Sequence, residues 1–267
     1  MILALINNKG GVGKTTTAVN LAAALAGSGQ RVLLVDLDSQ GAASLSCGLR
    51  RTELKPSVAD VLLHSHPPAQ AIRSSAMKNV DLLTGSSELA DADLLLAGTP
   101  GREIRLREAL NCVRTGYDSI LIDCPPSMSL LSTNALLAAD SYLVPVAPHY
   151  LALGGLASLL EAVNRLCDLG HGDVAELLGF LLTMVDYRNK TTTALVDSLR
   201  TNWGEHVFTT EIRINVRLSE APSQGKSIFD YAPSSSGAKA YKSLANEVRQ
   251  RNAEWFEEAP AAVAGNK

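Results

Sequence analysis

Residues 2–20, ILALINNKGGVGKTTTAVN, constrain the fold of this 267-residue chain more than any other stretch. A short aliphatic run leads into Gly10, Gly11 and Gly13, and then into a run that reads as a helix. Strand, glycine turn and helix in that order open a βαβ unit. Glycines let the backbone N–H groups of residues 10–16, Val12 and Thr16 included, turn inward, and the helix start adds the positive end of its dipole. The product is a cradle for phosphate. Lys14 supplies a mobile charge for β- and γ-phosphates, and the Thr15 hydroxyl suits Mg²⁺. The spacing departs from G-x-x-x-x-G-K-[ST], because counting back five from Gly13 reaches Asn8. Lys9 has no role that the loop's own mechanics require.

The rest of the chain repeats the rhythm. Near-continuous apolar runs at 2–6, 31–38, 80–85, 119–126, 141–148, 177–186 and 206–212 read as strands covered on both faces. Helices are expected near 15–27, 87–97, 101–115, 127–139, 153–170, 190–203 and 236–256. The fold expected is α/β and doubly wound, a mostly parallel sheet of about seven to eight strands flanked by helices. Residues 48–79 are the least legible, with Ser57 a helix N-cap ahead of VADVLL. Residues 1–256 read as a single domain, and the small, polar 257–267 as a frayed tail.

A phosphate site with magnesium needs carboxylates from elsewhere. Asp123 closes the run SILID, placed to hold a metal-bound water. Asp36 and Asp38 close the second strand, where alternate side chains share a face; spacing alone does not separate their roles.

Composition limits the partners. Net charge is −3, so no global basic field advertises nucleic acid. Residues 188–251 hold ten Lys/Arg against six Asp/Glu, a local balance of +4. The four cysteines lie far apart without a CxxC pair, which argues against a zinc ribbon or a disulfide framework and for buried reduced thiols. The stretch MILALINNKG reads as neither signal peptide nor membrane span, so a cytoplasmic protein is expected.

Four stretches carry a resemblance: KGGVGKTT (9–16), DLDSQGAAS (36–44), YDSILIDCPPS (117–127) and NVRLSEAPSQGKSIFDY (215–231). Together they resemble the ParA/MinD group of deviant Walker-A P-loop ATPases, and the last resembles the Soj-like partition branch. The resemblance implies an ATP-sandwich homodimer with ATP and Mg²⁺, in which Lys9 reaches the partner's phosphates. It implies catalytic roles for Lys9, Lys14 and Asp38, and magnesium ligation at Thr15, Asp38 and Asp123. Gly10, Gly11, Val12, Gly13, Lys14, Thr15 and Thr16 would line the phosphates, with Arg213 and Asn215 on the adenine side. This chain departs from the group's pattern at Ser39, Arg213 and Ile214, and in YAPSSSG (231–237).

The resemblance also implies DNA binding without sequence preference, nucleoid association and a ParB-like adaptor that stimulates hydrolysis. Arg188 and Arg217 match DNA-contact positions; Lys190, Arg213 and Lys242 are weaker additions. Cargo would be a chromosome origin, a plasmid or a protein assembly such as a carboxysome or chemosensory cluster. The competing reading is a MinD-like membrane cycle, for which residues 243–258 are too weakly basic, although they carry Trp255 and Phe256. No membrane partner is expected. An iron–sulfur relative would need interface cysteines, and Cys124 stands too close to Asp123.

Overall fold

The computed structural model describes residues 1–149, 152–168 and 173–258. The end of the helix expected over 153–170, residues 259–267 of the expected tail, and the side chains of Trp255 and Phe256 lie outside the described residues.

Eight strands form one sheet: β1 (Ile2–Leu5), β2 (Val32–Asp36), β3 (Ile72–Ser74), β4 (Val80–Leu83), β5 (Ser119–Asp123), β6 (Ser141–Val146), β7 (Glu176–Val185) and β8 (Ile212–Arg213). Their order is β3-β4-β2-β5-β1-β6-β7-β8. Every pairing is parallel except β3 with β4. The helices are α1 (Lys14–Gly27), α2 (Ala42–Ser46), α3 (Val58–His64), α4 (Pro68–Ala71), α5 (Ala92–Leu95), α6 (Arg105–Asn111), α7 (Leu130–Ala138), α8 (Ala152–Asp168), α9 (Lys190–Trp203), α10 (Val216–Glu220), α11 (Ile228–Tyr231) and α12 (Ser236–Glu258).

The apolar runs form strands for the expected reason. β1, β2, β5 and β6 are buried at every residue. Ile2, Ala4, Ile6, Leu33, Val35, Ile120 and Ile122 belong to one core, while Leu3, Leu5, Val32, Leu34 and Leu121 belong to the other. Alternation within a fully apolar run therefore feeds two cores, one on each face of the sheet.

Three details differ from expectation. The segment 206–212 is not one strand: Val207 makes a lone bridge to Phe180, and β8 holds two residues. β3 is a short antiparallel strand with no fully buried residue, so it lacked an apolar run to announce it. Cys47 and Cys124 are buried, but Cys112 and Cys167 are exposed; all four are free thiols. Ser57 does cap α3, in a capping box with Asp60.

Register places the site. Leu5 pairs with Asp123 across β1 and β5, and Asp36 pairs with Asp123 across β2 and β5. Three central strands thus end at one level, where ligands of open parallel sheets bind.

Candidate nucleotide site

The loop after β1 is held from outside, which frees its amides. Asn7 donates through Nδ2 to the Pro145 carbonyl at 2.8 Å, and its Oδ1 accepts from the Lys9 N–H at 2.9 Å. Thr183 donates its hydroxyl to the Val12 carbonyl at 2.8 Å. Gly13 adopts φ +86°, the left-handed region that suits glycine, and immediately precedes α1. No side chain caps α1, so its first-turn N–H groups face the cradle without protein acceptors.

Lys14 is 7% exposed, and its ammonium donates to the Lys9 carbonyl at 3.0 Å. Burial lowers its pKa, opposed by the charges of Asp123 and Asp38. Lys9 differs: its backbone is clamped by Asn7 and Lys14, and its side chain is exposed. The two lysines of one loop therefore face different surroundings.

The carboxylates separate just as clearly. Asp36 is fully buried at the end of β2. Its Oδ2 accepts from the Ser44 amide at 2.8 Å and the Ser44 hydroxyl at 2.7 Å, and its Oδ1 from the Asp38 amide at 3.2 Å. Gly85 closes over this turn; a Cβ there would stand 2.6 Å from the Asp38 carbonyl oxygen and 2.9 Å from the Asp36 carboxyl carbon. Asp36 is thus used up structurally. Asp38 lies past the strand end, partly exposed, with Oδ1 accepting from the Gln40 amide. The chain leaves the pleat between them, so the shared face expected from alternation does not apply.

Asp123 is fully buried, and neither carboxylate oxygen has a partner of good hydrogen-bond geometry. The Thr15 hydroxyl and the Lys14 ammonium favour its charge, but burial and then Asp36 outweigh them, so its pKa is raised well above the ordinary carboxylate range. An orphaned carboxylate facing a threonine hydroxyl is the donor set a magnesium ion takes, one protein ligand directly and one through water. Among the described residues no group of three or more His, Cys, Asp or Glu forms a metal cage. Magnesium carried in on phosphate needs no such cage.

Beside the loop lies a cavity of about 400 Å³, lined by Gly13, Thr16, Met184, Arg213, Ile214, Asn215 and Val216 among others. Its walls are mainly apolar, as a base requires. Asn215 lines it but is committed as the α10 cap: Oδ1 accepts from the Arg217 amide and Nδ2 donates to the Ser236 hydroxyl. Arg213 places its guanidinium 5.2 Å from the Tyr187 ring centroid.

The basic positions do not converge on one spot. Arg188 follows β7 and makes a two-point ion pair with Asp186, at 2.8 and 2.7 Å. Lys190 opens α9 and is exposed. Arg217, in α10, pairs with Glu220 at 2.7 Å. Lys242 lines a separate groove with Lys78 and Asp230 at the C-terminal end of α1. Asn7, Ser44 and Thr183 support the site and were not singled out from the sequence; Asn7 and Thr183 act through contacts more than a hundred residues away, and Ser44, though inside DLDSQGAAS, shows its role only once folded against Asp36.

A family model described as an AAA domain matches residues 1–173. The sporulation initiation inhibitor protein Soj of Bacillus subtilis (strain 168) is 44% identical over 247 residues, covering 92% of this chain and 97% of that protein. The chromosome-partitioning ATPase Soj of Thermus thermophilus is 46% identical over 249 residues, covering 93% and 95%. The chain belongs to the Soj/ParA family of partition ATPases. Like its Soj/ParA relatives, it is an ATPase that uses ATP and Mg²⁺. Among solved structures, a cobyrinic acid a,c-diamide synthase from Mycobacterium smegmatis with bound ATP analog and magnesium shares the fold. Its TM-score is 0.82 at 32% identity, covering 95% of this chain and 96% of that one.

For this Soj/ParA chain the phosphate-loop geometry has a direct chemical reading. The free amides at the start of α1 and the buried Lys14 ammonium offer the donors and charge that a triphosphate needs, and Thr15 beside Asp123 offers oxygens that could hold magnesium, which would offset phosphate charge. No helix among the described residues is long and apolar enough to cross a membrane.

Proposed function

We propose that this partition ATPase works as a homodimer closed around two ATP molecules, with Lys9 of each subunit reaching its partner's phosphates. The supporting observation is the contrast within one loop: Lys14 is buried against its own site, whereas Lys9 is exposed with its backbone clamped in place. A cation delivered by a second subunit offsets charge that moves during phosphoryl transfer, as an arginine finger does. Asp38 orients the attacking water, Asp123 and Thr15 serve the magnesium, and the cavity past Gly13 takes adenine between Arg213, Ile214 and Asn215. Residues 1–256 act as one domain.

The dimer binds DNA without sequence preference through Arg188, Lys190 and Arg217, and so associates with the nucleoid. Lys242, in its separate groove, would contribute from another side. Phosphates would replace Asp186 and Glu220 as partners of the two arginines, and pairing two weak faces multiplies the contacts. A ParB-like adaptor stimulates hydrolysis, which removes the nucleotide contact and loosens the pair. The cargo is a chromosome origin, a plasmid or a protein assembly.

The test is a DNA shift on random duplex at low salt. Binding is expected with a non-hydrolysable ATP analogue and magnesium, and much weaker binding without nucleotide. Equal binding in both states would rule out the switch.

A further inference from the structure

The phosphate loop and the arginine face are joined through Asn20. Asn20 is buried on α1, one turn below the cradle. Its Nδ2 donates to the Thr16 carbonyl at 2.8 Å, and its Oδ1 accepts from the Ile228 amide at 2.8 Å. Ile228 is the first residue of α11, which Ser227 caps by accepting from the Asp230 amide. The helix ends one turn later at Tyr231, whose hydroxyl donates to Glu220 Oε2 at 3.0 Å. That same oxygen accepts from Arg217 Nη1 at 2.7 Å. An unbroken series of polar contacts thus runs from the backbone of Thr16 to the guanidinium of Arg217, across one four-residue helix.

The chemistry of the links gives the series a direction. The Ile228 N–H is buried, and losing its acceptor would leave an unpaired donor, so α11 follows Asn20. Asn20 holds the carbonyl of Thr16 in the first turn of α1, the turn whose free amides face the cradle, so any shift of that turn when phosphate binds would reach Asn20. Movement of α11 carries the Tyr231 hydroxyl with it. Glu220 Oε2 serves two donors, so a change at Tyr231 alters its hold on Arg217.

We infer that Asn20 and Tyr231 are positioning residues that make release of Arg217 from Glu220 depend on phosphate in the loop. This rests on the nucleic-acid role proposed above for Arg217. Neither residue touches the reacting phosphates.

The experiment measures affinity for a random duplex with Mg-AMPPNP and without nucleotide, on the full chain, with light scattering to follow dimer formation. Tyr231→Phe is expected to keep nucleotide affinity and dimer formation, while its nucleotide-dependent gain in DNA affinity shrinks about three- to tenfold. Asn20→Ala removes both contacts without adding charge and is expected to shrink the gain at least as far as Tyr231→Phe. Glu220→Gln is expected to raise DNA affinity without nucleotide by about threefold, narrowing the gain from the other side. A full nucleotide-dependent gain in Tyr231→Phe overturns the inference. So does an equal fall in DNA affinity in both nucleotide states, which marks a purely structural role. Wild-type protein that binds no DNA at low salt overturns the DNA reading and this inference together, whereas a normal wild-type gain kept by the variants overturns the inference alone.

Discussion

At the phosphate loop, Lys14 is 7% exposed, Asp123 is fully buried, and Asn7 and Thr183 tie the loop backbone to β6 and β7. At the arginine face, the Arg188 side chain is 85% exposed and that of Arg217 59%, each paired with a nearby acid. The first region is made of buried, over-determined groups, where a ligand meets fixed dipoles in a poorly screened setting. The second is made of long side chains in water, where each ion pair is worth little and salt competes. Nucleotide chemistry should therefore fail abruptly on single substitutions, whereas nucleic-acid binding should decline by degrees.

The sharpest way to break that contrast is Lys14→Ala. Nucleotide affinity is expected to fall roughly 100-fold or more, because a buried ammonium aimed into the cradle has no substitute. Titration with a fluorescent ATP analogue checks it, and retained tight binding would show the loop to be as forgiving as the arginine face. Next, Arg188→Glu or Arg217→Glu should each weaken DNA binding about tenfold at low salt and flatten its salt dependence, with nucleotide affinity unchanged. A loss that no salt concentration alters would place these arginines among the over-determined groups instead.

The smallest effect sharpens the comparison through stability. Burial and the neighbouring Asp36 raise the Asp123 pKa, so the native state keeps a proton that the unfolded chain releases. Stability from this group is therefore present at low pH and lost as pH rises above about 4 toward the raised native value. Asp123→Asn removes that loss. Without nucleotide the variant should melt about 2–6 °C higher, more so at pH 8 than at pH 5. The further stabilisation that Mg-ATP gives the wild type should disappear. A lower melting point at every pH would mean that Asp123 is a structural carboxylate like Asp36.

The same contrast explains what was legible in the sequence. The loop from Lys9 to Thr16 is contiguous, and its strand is a solid apolar run, so fold and cradle could both be read directly. Spacing could not tell Asp36 from Asp38, because their separation depends on where β2 ends and on Ser44, eight residues away; the family resemblance alone favoured Asp38. Half-buried β3 carried no apolar signal, and β8 is too short to show a period. At the arginine face the charge count over 188–251 was visible, but the pairing of Arg188 with Asp186 was not. Nor did the count separate Lys242, which lies in another groove. Tyr231 and Asn20 stand in no motif; only the packing of α11 against α1 brings their contacts into one series.

Whether Lys9 acts across the dimer interface is decided by complementation between Lys9→Ala and Asp38→Ala, mixed before nucleotide is added. Each variant alone should be nearly inactive. In a mixed dimer, the ATP held by the Lys9→Ala subunit sees its own Asp38 and the partner's lysine, so one of two sites is whole. An equal mixture should recover about a quarter of wild-type ATP hydrolysis, since half of the dimers are mixed and each has one working site. Hydrolysis no greater than the sum of the two inactive variants would contradict a lysine acting across the interface.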